Sequence, residues 1–150
     1  MTNIPHLHQL IPHEQPMILV DELVAVDELT VHCRVTPSRT DLFFDEAKNG
    51  VPGYVGIEYM AQTIGGWSGY HAWLKGEVSP IGFLLGSRRY QAHCHQFDCD
   101  VMLDVYGEKV MENNGMAVFS CRIEQNGTLL ATSQLNVFVP SQDKLDEMLK

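Results

Sequence analysis

Pro52-Gly53-Tyr54-Val55-Gly56-Ile57-Glu58-Tyr59-Met60-Ala61-Gln62-Thr63-Ile64-Gly65-Gly66-Trp67-Ser68-Gly69-Tyr70-His71-Ala72-Trp73-Leu74 is the stretch whose reading decides the fold. Pro52 and Gly53 punctuate its start. From Tyr54 to about Leu74 it reads as one helix, roughly 30 Å long at a 1.5 Å rise per residue. Ile57, Met60, Ile64 and Trp67 fall on one side. Ala61, Gly65, Gly69 and Ala72 form a stripe of small residues on the other, at helical spacing. Each mid-helix glycine costs up to about 1 kcal/mol relative to alanine. Gly65, Gly66 and Gly69 therefore imply the close approach of another backbone or of a ligand. A helix apolar on most sides is a buried, central one.

Strands surround it in the sequence. Upstream, Met17-Ile18-Leu19-Val20 opens a strand that runs less regularly through Val24 and Val26. Leu29, Val31, Cys33 and Val35 alternate with Thr30, His32, Arg34 and Thr36, the period-two pattern of a half-buried strand. Met1 to Gln15, with its His and Pro residues, reads as irregular surface chain, and Pro37 to Gly50 as a polar loop in which Phe43 and Phe44 must tuck into something. Downstream, Ile81 to His93 is one predicted strand. Asn114-Gly115 and Asn126-Gly127 are hairpin turns, since both residue types accept the positive φ of a type I′ turn. They fold 101–112, 116–125 and 128–139 into an antiparallel meander. Ser141 to Lys150 reads as a short terminal helix with Ser141 as its N-cap. The expectation is an α+β domain in which a curved antiparallel sheet wraps a long central helix. Such a sheet leaves exposed edges, which points to dimerisation through one of them. The rings of Trp67 and Trp73 are expected in the core.

The chain has 150 residues, enough for a single domain over 1–150. Its 45% apolar content supports a core, and 10 Lys and Arg against 19 Asp and Glu give a net charge of −9. That balance argues against nucleic acid and against anionic membrane surfaces. No apolar run is long enough for a membrane helix, and Met1 to Leu10 lacks the marks of a secretory signal. Cys33, Cys94, Cys99 and Cys121 are dispersed without a CxxC pair, which predicts reduced thiols and a cytoplasmic protein. His93-Cys94-His95 with Cys99 is too sparse for a zinc site, so neither a metal nor another cofactor is expected.

Glu58 stands out. It lies one turn into an otherwise apolar helix, with Ala61, Gln62 and Gly65 beside it at helical spacing. Burial disfavours its charged form, whereas the free N–H groups of the helix start favour it. Such a residue either satisfies those N–H groups or serves a cleft.

Here the residues carry a resemblance. Pro52-Gly53 followed by Glu58 and Met60-Ala61-Gln62 resembles the PG-x-x-x-x-E-x-MAQ segment of hotdog-fold dehydratases of 3-hydroxyacyl thioesters on acyl carrier protein, the FabZ/FabA type. Ile11-Pro12-His13-Glu14-Gln15-Pro16-Met17-Ile18-Leu19-Val20-Asp21 is similar to their LPH-x-x-P-x-L-L-V-D opening. Arg89-Tyr90 stands where those enzymes often carry an Arg-Phe pair. Ile57-Glu58-Tyr59-Met60-Ala61-Gln62 is most similar to the divergent ApeP-like subgroup linked to aryl-polyene biosynthesis. The resemblance implies a hotdog fold and the formation of trans-2-enoyl thioesters. It implies a thioester of acyl carrier protein or coenzyme A as substrate, and a homodimer or a hotdog heterodimer. By position, Glu58 is the helix acid. The family's loop histidine, the base that takes the C2 proton, has no counterpart: residues 42–52 contain no His. His13 is the first choice for a substitute base, with His93 and His95 across a dimer edge as the next. His71, thirteen residues beyond Glu58 on the same helix, is about 20 Å away and cannot be the intrachain partner.

The amides after Gly53, beginning at Tyr54, would polarise the thioester carbonyl. Gln62 and Gly65 would line the acyl chain's path along the small-residue face. Arg88 and Arg89 would guide the pantetheine phosphate and dock the acidic carrier protein. Two other readings stay open. One is a hotdog thioesterase using Glu58, which needs no separate base. The other is a thioester-binding subunit without activity, paired with an active hotdog partner.

Overall fold

In the computed structural model the described residues are 5–11, 17–76 and 83–138, with backbone alone at 83–85 and 88. His13 and the predicted terminal helix from Ser141 to Lys150 lie outside them.

The decisive stretch forms the central helix α2 (Gly56–Leu74), entered through a 3-10 turn over Gly53–Val55. The turn explains why the helix proper starts two residues after the predicted Tyr54. Around it lies a six-stranded sheet of β1 (Glu22–Val26), β2 (Thr30–Val35), β4 (Phe83–Ala92), β6 (Leu103–Asn113), β7 (Met116–Gln125) and β8 (Thr128–Phe138). The order across it is β1-β2-β6-β7-β8-β4, and each neighbouring pair is antiparallel. Val31, Cys33 and Val35 of β2, Leu103 and Val105 of β6, Phe119 and Ile123 of β7 and Leu135 of β8 are buried. They form one core with Tyr59, Met60 and Ile64 of α2. This is the hotdog layout, a sheet around a buried helix. Both Asn-Gly turns adopt the positive φ that the sequence implied: 53° and 84° at Asn114 and Gly115, 49° and 83° at Asn126 and Gly127.

Other parts of the sequence reading need correction. The first strand begins at Glu22, because the backbone from Met17 to Val20 is engaged by the helix instead of the sheet. A short helix α1 (Leu7–Leu10) and a two-stranded ribbon of β3 (Gly50–Pro52) and β5 (Gln96–Asp98) were not expected. Each is too short to show a period. The strand after the central helix ends at Ala92, and His93, Cys94 and His95 form a bend leading into β5. Trp73 is 43% exposed, near the C-terminal end of the helix, and is not a core residue. Trp67 packs edge-on against Phe119 and donates from Nε1 to the carbonyls of Asp27 and Glu28. Of the two loop aromatics, Phe43 packs on the core. Phe44 lines a surface hollow with Arg39, Glu46 and Asn49.

The glycines of α2 receive the start of the chain. A Cβ on Gly69 would collide with the carbonyl oxygen of Leu10. One on Gly66 would lie 2.8 Å from a Leu7 methyl, and one on Gly65 3.2 Å from an Ile11 methyl. Close approach of another backbone, one of the two causes expected for this stripe, is present at Gly69, whereas Gly65 and Gly66 meet side chains. Gly65 stays half-buried, with the Ile11 methyl beside it.

No helix among the described residues is long and apolar enough to cross a membrane. The four cysteines are free thiols. Burial pushes Cys33 and Cys121 up to about 12, which makes both poor nucleophiles at neutral pH.

Candidate active site

The site begins at the entry to α2. Neither the 3-10 turn nor the helix has a side-chain N-cap, although such caps ordinarily satisfy first-turn N–H groups. The turn is held by backbone and by one phenol instead. The Gly53 N–H donates to the His95 carbonyl at 3.0 Å. The Gly53 carbonyl accepts from the Tyr90 hydroxyl and from the N–H of Gly56. A Cβ on Gly53 would sit 3.0 Å from the Cys94 carbonyl oxygen, so this position needs glycine for close approach. Next to it, Tyr54 is 69% exposed. The Gly53 amide is thus committed to the fold, and Tyr54 is the residue that follows it in the turn.

Glu58 is the acidic residue of the first turn of α2 and is half-buried. One of its carboxylate oxygens, Oε1, accepts from Gln62 Nε2 at 3.1 Å. Gln62 is fully buried and uses its whole amide. Nε2 also donates to the Met17 carbonyl at 2.7 Å, and Oε1 accepts the N–H groups of Leu19 at 2.9 Å and Val20 at 3.3 Å. The expectation that Gln62 contacts the acyl chain is corrected. With both hydrogens and both lone pairs engaged, it has no capacity left for a substrate, and it links Glu58 to the chain's first extended segment.

The remaining candidates are spread out. Arg89 is exposed, with a φ of 58° at a break in the β4–β8 pairing between Arg88 and Gln91. For Arg88 only the backbone position on β4 is described. The side chains of His93 and His95 are exposed, and it is the backbone carbonyls of Cys94 and His95 that meet Gly53. His71 bonds the Asp27 carbonyl at 2.8 Å, at the far end of the helix. The hollow beside Phe44 includes none of the candidate residues. Sequence reasoning missed the role of Tyr90 altogether. A tyrosine where the resembling enzymes have phenylalanine was the available signal.

Burial pushes the Tyr90 hydroxyl up to about 12, with a smaller push from Cys94. It therefore remains a donor at neutral pH. The arrangement as a whole offers an uncapped helix start, a carboxylate held one turn in, and a glycine turn pinned from two sides.

Comparison with known proteins adds the family. The family model for ApeP-like dehydratases matches residues 5–150. A chain of the dehydratase heterocomplex ApeI:P from Xenorhabdus doucetiae is 31% identical, with 99% of each chain covered and a TM-score of 0.88. Two more distant structures share the fold. A hypothetical thioesterase protein with coenzyme A from Streptococcus pneumoniae TIGR4 is 16% identical over 81% of this chain and 86% of its own, with a TM-score of 0.62. The smu.793 protein from Streptococcus mutans UA159, bound to acetyl CoA, is 14% identical over 91% of this chain and 98% of its own, with a TM-score of 0.66. No curated protein matches. With a family match over nearly its whole length, on a fold and a helix acid derived independently, the chain belongs to the ApeP-like dehydratase family.

Proposed function

We propose that this chain acts in the dehydration of 3-hydroxyacyl thioesters carried by acyl carrier protein, giving trans-2-enoyl thioesters. The observation that carries the reading is the Glu58 carboxylate, fixed by the Gln62 amide one turn inside a helix start that lacks a side-chain cap. A thioester carbonyl placed at that start meets N–H donors where negative charge develops. The C2 proton then leaves to a base, the C2=C3 double bond forms, and the C3 hydroxyl departs as water with a proton from Glu58. His13 is the base in this proposal. Met17, four residues after it, is anchored to the same Gln62 amide as Glu58. Four residues span at most about 14 Å, which is compatible with a base supplied near that carboxylate. Exposed Arg89, with Arg88, would meet the pantetheine phosphate and the acidic carrier. Coenzyme A thioesters are the alternative delivery, in keeping with the two coenzyme A-bound relatives.

The reading includes a second hotdog chain, identical or different. The relative from a heterocomplex supports a different one. A second reading follows: with no His in residues 42–52, the chain would bind thioester beside an active partner without turning it over itself.

The test is an assay of wild type, Glu58→Gln and His13→Ala on 3-hydroxyacyl- and trans-2-enoyl-carrier-protein substrates, alone and mixed with a hotdog dehydratase partner. Wild type should interconvert the two substrates, and Glu58→Gln should lose about a hundredfold or more, the usual worth of a positioned acid. Unchanged turnover in Glu58→Gln would remove the proposed role. Thioester hydrolysis lost in Glu58→Gln would move the assignment to a thioesterase. A silent wild type that raises its partner's rate would leave the second reading.

A further inference from the structure

Tyr90 is placed by several independent features, and none of them serves the core alone. Its strand, β4, loses register with β8 between Arg88 and Gln91. Within that break Arg89 has a φ of 58°, a left-handed conformation costing roughly 1 kcal/mol for a residue with a side chain. A bulge of this kind re-aims the side chain that follows it. The side chain re-aimed here is Tyr90, whose hydroxyl reaches across to the Gly53 carbonyl. Gly56 makes room for it, because a Cβ there would collide with that hydroxyl oxygen. A strained arginine, a broken register and a missing side chain therefore converge on one hydrogen bond.

The partner of that bond decides its meaning. Gly53 and Tyr54 share one planar peptide unit, in which a trans C=O and N–H point in opposite directions. Pinning the Gly53 carbonyl on the Tyr90 side fixes the Tyr54 N–H to face away from it. The preceding unit, which joins Pro52 to Gly53, is held too, since the Gly53 N–H donates to the His95 carbonyl. The plane cannot rotate without breaking a hydrogen bond. A preorganised N–H stabilises developing negative charge without reorganising during the reaction, which is the source of its effect. The bond also polarises the peptide, because a carbonyl that accepts a hydrogen bond leaves its N–H a better donor.

We propose that Tyr90 is a positioning residue of the dehydration site. Through the Gly53 carbonyl its hydroxyl sets the direction and strength of the Tyr54 N–H that receives the thioester carbonyl. This rests on the reaction proposed above, but it is read by a different measurement. The carbonyl stretch of a crotonyl thioester labelled with carbon-13 at C1 reports hydrogen-bond polarisation in the bound state, with or without turnover.

The experiment compares wild type and Tyr90→Phe, each saturated with the labelled thioester, by infrared difference spectroscopy, with kcat and KM measured in parallel. Wild type should lower the stretch relative to the free thioester, and Tyr90→Phe should recover most of that shift. Its kcat should fall about tenfold with KM nearly unchanged, less than the roughly hundredfold of deleting a donor outright. An equal shift in both proteins overturns the proposal while leaving the Glu58 chemistry standing. Absence of any shift in wild type also overturns it. Loss of Glu58-dependent turnover concerns only the underlying reaction. Should Tyr90→Phe fail to fold, 3,5-difluorotyrosine at position 90 keeps the ring and donates more strongly. It should then lower the stretch further, and an unchanged stretch overturns the proposal.

Discussion

Gln62 shows how a residue can be read correctly as important and wrongly as to its task. Its place one turn from Glu58 was legible from helical spacing alone. That its amide is saturated by Met17, Leu19 and Val20 was not, because those partners lie more than forty residues away in sequence. Replacing it by Leu would leave two buried N–H groups and a carbonyl without partners, at about 1–3 kcal/mol for each group. Urea unfolding of Gln62→Leu should show a loss of at least about 3 kcal/mol. Glu58→Gln should stay close to wild type in stability, since an amide at position 58 still offers an oxygen to Gln62. The same separation hid Tyr90, whose relevant partner is a backbone carbonyl that no side-chain pattern reports.

At the scale of elements, long periodic segments were legible and short ones were not. The alternation in β2, the two Asn-Gly turns and the α2 stripe each carry enough residues to define a period. Leu7–Leu10, Gly50–Pro52 and Gln96–Asp98 are each one turn or a few pairs long, and only their tertiary contacts define them. The α2 glycines illustrate the difference. In an exposed helix Gly→Ala stabilises by up to about 1 kcal/mol. At Gly69 the sign should reverse, because the new methyl meets the Leu10 carbonyl oxygen and helix α1 must move. Gly69→Ala should lower Tm by several degrees and raise amide exchange across residues 7–11. Gly65→Ala, facing only a methyl of Ile11, should change Tm far less.

For the whole molecule, acidity has local consequences that the net charge of −9 conceals. At the β1–β2 turn, Asp27 accepts from the N–H groups of Leu29 and Thr30 and from the Thr30 hydroxyl, and these bonds lower its carboxyl from the usual carboxylate range. Burial opposes ionisation of Asp104, but hydrogen bonds from His32 and Arg34 outweigh it and lower its carboxyl as well. A carboxyl lowered by folding stabilises the fold fully above its unfolded value. That contribution fades as pH falls through the folded value. Asp21, raised chiefly by burial, acts in the opposite sense. Stability should therefore decline below about pH 4, and Asp104→Asn should flatten that decline. Acid titration followed by circular dichroism checks it. The sheet's edge strands, β1 and β4, both carry irregular pairing, and such irregularities blunt an edge. Light scattering of the chain alone and with a hotdog partner tests whether it pairs with itself, with that partner or with neither.

The seat of the chain's start on α2 has a consequence for how its descendants can vary. Gly69 faces a carbonyl oxygen, and every amino acid at position 10 presents that same oxygen. No exchange at position 10 can therefore make room for a larger residue at 69. Positions 66 and 7, and 65 and 11, meet through side chains, so a gain in size on one side can be matched by a loss on the other. Across lineages, the first contact should act as a one-sided constraint and the other two as compensating pairs.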